Sequence, residues 1–292
     1  MKKMLSGLEV AQMVKTEIKA KVEQIIAKGK KQPHLAAILV GENPASESYV
    51  KNKIKSCEEV GFKSSLIRCD LNISEAELLK IVNKMNEDSD IDGFIVQLPL
   101  PKHINEHIIN LAINPIKDVD GFHPVNVGRM AQGLPAYLPA TPKGILEILK
   151  RNNIDTVGQN VVVVGRSNIV GTPISILLSR KGWDATVTLT HSRTKNLENV
   201  CKNADILIAA IGIPQFIKAN MVKTGAVVID VGINRIADIS KPSGNRLVGD
   251  VDYEAVQQKA SYITPVPGGV GPMTVVSLLL NTLEAAEKII YK

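Results

Sequence analysis

Apolar residues recur along the chain with two different periods, and each period predicts one kind of element. Over residues 1–30 they return every three or four positions, as on one face of a long amphipathic helix. That face carries Val10, Val14, Ile18, Val22 and either Ile25 or Ile26. Further helices are predicted over 46–60 and 74–85. Ser74 and Glu77 have the spacing of a capping box, which marks the start of the later helix.

Compact apolar runs, in contrast, predict buried strands. In the first half of the chain these runs are 35–40, 65–69 and 93–97. In the second half they are 161–164, 186–190, 206–209 and 226–230. Because these strands alternate with helical stretches, the sequence predicts an α/β fold with parallel sheets that carry helices on their faces.

A stretch between the two halves lacks either period. Residues 118–142 are rich in Gly and Pro, which predicts a long ordered loop at a domain boundary. A helix over 143–152 then leads into the second half, and a last helix from 273 to about 290 can pack back on the first half. We therefore predict two domains. The first is 1–140, completed by 273–292, and the second is 141–272.

Composition excludes several classes of protein. Of the 292 residues, 45% are apolar and 22% are charged, as in a globular protein with a full core. No apolar run reaches the roughly 18 residues that span a bilayer, and the polar start does not resemble a secretory signal. We therefore expect a cytoplasmic protein with no membrane partner. Cys57, Cys69 and Cys201 lack metal-site spacing, so no metal is predicted.

The net charge of +6 and the pI near 9.1 raise the question of nucleic-acid binding. The basic residues are spread along the chain, however, and no aromatic residues interleave with them in a basic segment. Positive charge also concentrates anionic small molecules at a binding site. We therefore expect a small-molecule partner and no nucleic acid.

The turn after the 161–164 strand is a candidate phosphate-binding site. Gly165 and Gly171 allow close approach of the backbone, and the helix that follows supplies free N–H groups and a partial positive charge. Arg166 and Ser167 lie in the same turn. The spacing differs from G-x-G-x-x-G, so a tight turn that binds nothing stays an alternative at this point.

The end of the next strand distinguishes between two dinucleotides. An NAD site places a carboxylate there for the ribose 2′-hydroxyl. Residues 191–194 contain no acid, and Ser192 and Arg193 suit a 2′-phosphate instead. Arg166 adds a planar guanidinium that matches phosphate. The sequence therefore predicts NADP, bound by a Rossmann-type second domain, with a solvated loop charge as the alternative for Arg193.

Candidate reactive side chains lie in the first domain. Tyr49 and Lys53 are four residues apart on one helix, so they share a face. Gln97 ends a strand at the carboxyl edge, where open α/β sheets bind ligands. Asp118 and Asp120 begin the predicted loop. Each residue also has an ordinary structural explanation, namely surface exposure, a backbone hydrogen bond or turn formation.

Taken together, these residues resemble a known family. The stretches that carry the resemblance are Gly41–Lys53, Gly93–Leu100, Lys117–Pro124, Val164–Gly171 and Pro265–Thr274. In this order they resemble the bifunctional methylenetetrahydrofolate dehydrogenase/cyclohydrolase family, over essentially the whole chain. The resemblance implies NADP-dependent oxidation of 5,10-methylenetetrahydrofolate to the methenyl form. It also implies hydrolysis of that product to 10-formyltetrahydrofolate in one shared cleft, a step of one-carbon metabolism that supplies purine biosynthesis.

The resemblance also implies roles for the residues. Asp120 would accept hydrogen bonds from the pterin, and Tyr49 would stack on it. Lys53 would move protons during hydrolysis, which requires a lowered pKa, and Gln97 would orient Lys53. The other implied contacts are Val96, Leu98, Pro267, Gly268, Gly269 and Gly271 for the substrate and Ile233 for the cofactor. The substrate would be a folate, with or without a polyglutamate tail, and the protein a homodimer.

Three alternatives remain at this point. A dehydrogenase-only member of the family would lack the hydrolysis, although Lys53 and Gln97 argue against this. A related two-domain dehydrogenase of the shikimate or amino-acid type would keep the second domain but would not need Tyr49, Lys53, Gln97 and Asp120 together. A non-catalytic NADPH-binding regulator would bind the cofactor without turnover.

Overall fold

Strands and helices alternate through most of the chain. The computed structural model describes residues 3–241 and 244–291. The helices are α1 (Gly7–Ala27), α2 (Pro44–Val60), α3 (Glu75–Glu87), α4 (Glu106–Ala112), α5 (Pro124–Ala131), α6 (Ala140–Arg151), α7 (Gly171–Ser179), α8 (Leu197–Lys202), α9 (Tyr253–Val256) and α10 (Val270–Ala286). The strands are β1 (Lys3–Met4), β2 (His34–Val40), β3 (Lys63–Cys69), β4 (Gly93–Val96), β5 (Asn160–Val164), β6 (Thr186–Thr190), β7 (Ile206–Ala209), β8 (Val227–Asp230), β9 (Asn234–Ala237), β10 (Asn245–Val248) and β11 (Tyr262–Ile263).

The described residues form two compact units, each built on its own parallel sheet. The three-stranded unit comprises Gln12–Ala140 and the described residues from Val275 onward. The six-stranded unit comprises the described residues up to Ala11 together with Thr141–Thr274. The sequence assigned the whole N-terminus to the first domain. Instead, β1 pairs with β11 in the larger sheet, a contact between strands too short to produce a periodic pattern.

In the three-stranded unit the strand order is β3-β2-β4, with all neighbours parallel. All seven residues of β2 are buried, as expected for a central strand with both faces covered. The Ser74 capping box predicted for α3 is present. Because β3 and β4 lie on opposite sides of β2, the strand order reverses between β2 and β4, and the carboxyl edge there is the expected place for a ligand.

The predicted loop over 118–142 is wrong. The structure has α5 within this stretch, and α6 begins at Ala140 rather than Lys143. His123 caps α5 through its side chain, and Pro124 occupies the first turn, where a missing N–H costs nothing. The helix escaped detection because it is only eight residues long and buries only Asn126 and Met130. The helix α4 was also not predicted, for the same reason of length.

In the six-stranded unit the order is β1-β11-β8-β7-β5-β6, and every pairing is parallel. The strand order reverses between β5 and β7, so this edge is again the expected ligand site. The four strands predicted in this half are all present. The antiparallel pair β9 and β10 was not predicted, since these four-residue strands are largely exposed and not apolar.

The last helix returns to the three-stranded unit, as predicted. The Asn281 side chain donates to the backbone oxygens of Val119 and Leu138, at 2.7 and 2.9 Å. The Tyr291 hydroxyl donates to Asn126 Oδ1 at 2.7 Å. Among the helices of the described residues, none has the length and apolarity needed to cross a membrane.

Candidate active site

The three-stranded unit brings two of the predicted catalytic side chains into direct contact. Lys53, on α2, donates from Nζ to Gln97 Oε1 at 3.1 Å. Gln97 immediately follows β4, and its Nε2 donates to the backbone oxygen of Leu98 at 2.7 Å. With the amide nitrogen engaged by the backbone, the amide oxygen is left facing the lysine. The predicted orienting function of Gln97 therefore has a direct geometric basis.

Lys53 is also coupled electrostatically to Asp120. Burial lowers the pKa of Lys53, and the Asp120 charge partly opposes this shift. Burial raises the pKa of Asp120, and the Lys53 charge opposes that shift in turn. Burial therefore favours the neutral form of both groups. A lysine whose pKa is lowered has a larger neutral fraction near pH 7, so it can accept a proton.

The two neighbouring aspartates, Asp118 and Asp120, have different surroundings. Asp118 is buried and accepts hydrogen bonds from the backbone N–H groups of Phe122 and His123 and from Asn126 Nδ2, at 3.2, 2.8 and 2.9 Å. Burial raises its pKa to about 7 despite these bonds. Asp118 thus shapes the turn, whereas the Asp120 carboxylate accepts no hydrogen bond from any described residue. Only Asp120 is left available for a ligand.

The remaining predicted substrate contacts of this unit differ in accessibility. The Tyr49 side chain is 45% exposed, one helical turn before Lys53, so its ring is available for stacking. Val96 is 4% exposed and belongs to an apolar cluster with Ile38. Any contact of Val96 with a substrate would therefore involve its backbone. The backbone oxygen of Leu98 is already occupied by Gln97.

The other predicted substrate residues lie in the six-stranded unit, in the loop 264–269 and at the start of α10. The N-terminal segment holds this loop, since Leu8 N donates to Gly268 O at 3.1 Å. A Cβ atom on Gly7 would lie 1.7 Å from Gly269 O, so only glycine fits there. Pro267 belongs to the same loop, whereas Gly271 lies in the first turn of α10, as does Pro272, the position predicted for this proline.

The cofactor turn after β5 depends on glycine for steric reasons. Gly165 has φ +112°, and a Cβ there would lie 2.1 Å from Ala210 O, on the far side of the strand-order reversal. A Cβ on Gly171 would lie 1.9 Å from Gly165 O. The backbone is thus packed as tightly as the phosphate-binding hypothesis requires.

The expected free N–H groups at the start of α7 are not found. Ser167 Oγ accepts from Val170 N and Gly171 N at 3.2 and 3.4 Å, and Ser167 O accepts from Thr172 N at 3.0 Å. Serine is a strong capping residue, and here the Ser167 side chain accepts hydrogen bonds from backbone N–H groups at the start of α7. The backbone amides that lack a partner among the described residues are instead those of 166–169, in the turn itself.

The side chains chosen for the 2′-phosphate are solvent-accessible. Arg166, Ser192 and Arg193 are all exposed. The turn after β6 is fixed by its backbone, since His191 N donates to Thr194 Oγ1 at 2.9 Å and Arg193 N donates to His191 Nδ1 at 3.2 Å. Ile233 is 46% exposed. These residues can meet a ligand without first losing internal partners.

Sequence reasoning did not identify Lys117, which supports the site. It is 8% exposed, and its Nζ donates to the backbone oxygens of Met85 and Asp88 at 2.8 and 2.5 Å. This lysine therefore ties the segment that carries Asp120 to the end of α3. In the sequence, only its position in the Lys117–Pro124 stretch pointed to it.

Two family models match the chain. The catalytic-domain model of tetrahydrofolate dehydrogenase/cyclohydrolase matches residues 5–120. The NAD(P)-binding-domain model of the same family matches residues 139–290. The matched ranges contain the Lys53–Gln97 pair and the glycine turn, respectively.

Individual relatives agree over the full length. A bifunctional protein FolD from Phocaeicola vulgatus is 59% identical over 291 residues, with 99% of each chain covered. The crystal structure of a FolD methylenetetrahydrofolate dehydrogenase/cyclohydrolase from Campylobacter jejuni is 46% identical, with a TM-score of 0.94 over 99% of this chain and 100% of that one. A Trypanosoma brucei dehydrogenase-cyclohydrolase, solved with NADP and an inhibitor, is 35% identical, with a TM-score of 0.94 over 100% and 99%. This chain therefore belongs to the tetrahydrofolate dehydrogenase/cyclohydrolase family.

Proposed function

We propose that this protein oxidises 5,10-methylenetetrahydrofolate with NADP⁺ and hydrolyses the methenyl product to 10-formyltetrahydrofolate. The observation that carries the proposal is the Lys53–Gln97 hydrogen bond next to the Asp120 carboxylate. A dehydrogenase of another small substrate has no use for this partly buried group of lysine, amide and acid. The chain also belongs to a family that is named for both activities.

In this proposal Lys53 carries the hydrolytic step. With its pKa lowered by burial, it takes a proton from the water that attacks the methenyl carbon and delivers one to the ring nitrogen that leaves. Gln97 holds the amine in place through its oxygen. A cationic methenyl substrate beside Lys53 lowers the pKa further by like-charge repulsion.

Binding of the folate is assigned to the predicted substrate residues. Asp120 accepts hydrogen bonds from the pterin N–H groups, and Tyr49 stacks on the ring. The assignment is completed by the backbone of Val96 and Leu98, by the loop residues Pro267, Gly268 and Gly269, and by Gly271 at the start of α10. The net charge of +6 suits the anionic glutamate tail of a folate, including a polyglutamylated one.

The cofactor is NADP, and the turn after β5 fits it. Gly165 gives the backbone the approach that a pyrophosphate needs, and the amides of 166–169 have no hydrogen-bond partner among the described residues. We assign the 2′-phosphate to Arg166, Ser192 and Arg193, because exposed cations and hydroxyls favour it and no acid opposes it. Bound NADP⁺ supplies the hydride acceptor, and the protein holds the one-carbon unit against it.

The proposal also includes the organisation of the protein. We propose a folate-binding domain that corresponds to the three-stranded unit and an NADP-binding domain that corresponds to the six-stranded unit, with the described residues up to Ala11 in the latter. We also propose a cytoplasmic location and a homodimer. The homodimer is supported by β3, an edge strand whose outer backbone groups pair with no other described strand. An exposed edge of this kind is a ready site for a second copy. Light scattering in solution would measure the assembly, and a monomeric mass would reject this part.

A spectroscopic assay of the wild type and Lys53→Met tests the two activities. NADPH formation and the methenyl chromophore would be followed separately after adding methylenetetrahydrofolate and NADP⁺. We expect the wild type to form NADPH without accumulating methenyl compound. Lys53→Met should accumulate it, because hydrolysis loses its proton carrier.

The matched control is Lys55→Met, an exposed lysine on the same helix, which should behave as the wild type. Absence of NADPH formation by the wild type would reject the dehydrogenase. Unchanged hydrolysis in Lys53→Met would reject the assignment of Lys53. Cofactor binding without any turnover would favour the regulator alternative.

A further inference from the structure

The strongest unassigned feature is a buried carboxylate in the six-stranded unit, Asp250. It is completely buried and follows β10. Its Oδ2 accepts hydrogen bonds from the backbone N–H groups of Ile211 and Gly212, at 2.7 and 2.9 Å. Its Oδ1 accepts from Asn234 Nδ2 at 2.9 Å. One side chain thus holds the loop after β7 and the start of β9.

A second buried carboxylate fixes the backbone of the first. Asp230, at the end of β8, accepts from Asp250 N and Val251 N, at 2.8 and 3.0 Å. It also accepts from Gly232 N at 3.1 Å. Burial raises the pKa of Asp230 to about 7, and the nearby charge of Asp250 contributes to this shift. The two acids therefore form one network in which Asp230 places Asp250.

Two glycines make room for this network. A Cβ on Gly249 would lie 1.7 Å from Asp230 Oδ2. A Cβ on Gly232 would lie 2.2 Å from Asp250 Oδ1. Any side chain at either position would displace a carboxylate, so the backbone there is shaped around the two acids.

The loops held by Asp250 lie where the reactive half of the cofactor belongs. The 2′-phosphate residues follow β6, on one side of β5, and the phosphate turn follows β5 itself. A dinucleotide crosses the strand-order reversal, so its other half lies over β7 and β8. Ile211 and Gly212 directly follow the β7 edge, and Ile233 lies between Gly232 and Asn234, with its Cδ1 3.2 Å from the Cβ position of Gly271.

We propose that Asp250, held by Asp230, is a positioning residue that fixes the two loops between which the nicotinamide lies. This inference rests on the proposed NADP-dependent function and adds residues that its binding contacts do not include. Asp250 touches neither substrate nor cofactor in the proposal. It acts through the backbone of Ile211 and Gly212 and through Asn234, which sets the position of Ile233.

The test compares Asp250→Asn with the wild type in both reactions. An amide of the same shape has only one acceptor oxygen. It therefore cannot accept hydrogen bonds both from the backbone of Ile211 and Gly212 and from the Asn234 side chain. We expect the KM for NADP⁺ to rise and the dehydrogenase kcat to fall, each about tenfold, which corresponds to about 1.4 kcal/mol. The cyclohydrolase kcat should stay within about twofold, because Lys53, Gln97 and Asp120, which are assigned to the hydrolytic step, lie in the other unit.

Two further variants complete the test. Asp252→Asn, an acid two residues away in an ion pair with Lys218, is the control and should leave both activities unchanged. Asn234→Ala removes only the hydrogen bond to Asp250 Oδ1 and should change the same two kinetic parameters by about threefold. It keeps the proposal testable if Asp250→Asn does not fold.

Three results would overturn the inference. The first is wild-type dehydrogenase kinetics in Asp250→Asn. The second is a proportional loss of both activities with a lowered Tm, which indicates a purely structural role. The third, if Asp250→Asn does not fold, is wild-type kinetics in Asn234→Ala. A wild type that forms no NADPH would instead reject the proposed function, so the two failures are distinguishable.

Discussion

The candidate catalytic group and the cofactor turn are constructed in opposite ways. In the three-stranded unit, Lys53 and Gln97 are partly buried side chains joined to each other before any ligand binds. In the six-stranded unit, Arg166 and Ser192 are exposed, and the rigid part is the backbone around Gly165. Catalysis of proton transfer needs a shifted pKa, which requires burial, whereas phosphate binding needs accessible N–H groups and cations. The difference predicts distinct sensitivities to mutation.

The largest effect is expected from Gly165→Ala. The new Cβ would meet Ala210 O at 2.1 Å with φ at +112°, so the turn must move. We expect dehydrogenase activity to fall more than about 100-fold and the free energy of unfolding to fall by about 2–4 kcal/mol. Cyclohydrolase activity should persist while the protein is folded. Steady-state kinetics and thermal unfolding measure these quantities.

Gly182→Ala is the control for Gly165→Ala, because Gly182 also has positive φ, at +96°, but open space around its Cβ position. It should reproduce the cost of backbone strain without the loss of cofactor binding. If both variants lose dehydrogenase activity equally, the close approach to Ala210 is not what the cofactor requires.

The next effect is expected from Gln97→Ala. Without the amide oxygen, Lys53 loses the partner 3.1 Å away that orients it. Hydrolysis should slow by about 100-fold, within the range that positioned proton transfer contributes, while NADPH formation changes little. The readout is accumulation of the methenyl chromophore. Gln132→Ala, at an exposed position in the same unit, is the control, and equal hydrolysis in all three proteins would contradict the role of Gln97.

A smaller effect is expected from Ser192→Asp, which introduces the acid that an NAD site carries. Repulsion of the 2′-phosphate should raise the KM for NADP⁺ at least about tenfold and improve the relative use of NAD⁺. Thr224→Asp adds the same charge at another exposed position of the six-stranded unit and should change neither value. An unchanged preference in Ser192→Asp would move the 2′-phosphate site elsewhere.

The last effect concerns the pH dependence of stability and not activity. Asp118 has a folded-state pKa of about 7, above its usual value of 3.8. Between these two pH values the folded state therefore binds more protons than the unfolded state. As a result, the contribution of Asp118 to the free energy of unfolding falls as the pH rises from about 4 to about 7. Over this interval, Asp118 should contribute a slope of up to about 1.4 kcal/mol per pH unit to the free energy of unfolding, and Asp118→Asn should lack this contribution. Denaturant titrations at several pH values measure it.

Asp155→Asn, at an exposed turn, serves as the control for the Asp118 slope. Equal slopes in wild type and Asp118→Asn would show that the buried carboxylate does not take up a proton in this interval. That result would contradict the pKa shift that burial is expected to cause at Asp118 in the three-stranded unit.

The sequence by itself determined the main elements and the candidate residues. The period of Val10, Val14, Ile18 and Val22 predicted α1, and the valines of β5 predicted a central strand, because burial of a face imposes a local pattern. The position of Gln97 at a strand end placed it at the carboxyl edge of a sheet, and the spacing of Tyr49 and Lys53 placed both on one helix face, whereas the pairing of Lys53 with Gln97 came from the family resemblance. Local rules were sufficient for the elements and for these two placements.

Local rules failed where short elements or single contacts determine the structure. The eight residues of α5 bury too few positions to show a period, and β1 is defined only by pairing with β11 at the other end of the chain. No local pattern distinguished Asp118, which accepts three hydrogen bonds, from Asp120, which is available, and only the family resemblance pointed to Asp120. That distinction depends on which backbone N–H groups the turn directs inward.

The tertiary structure alone identified the long-range supports of the site. Asp250 meets Ile211 and Gly212 only after strands distant in sequence lie side by side. Likewise, Ser167 satisfies the start of α7 only when the turn closes around Gly165 and Gly171. Periodicity records which face of an element is buried. The hydrogen-bond partner of a single buried polar atom depends on how the whole chain packs. It therefore cannot be predicted from any one segment of the sequence.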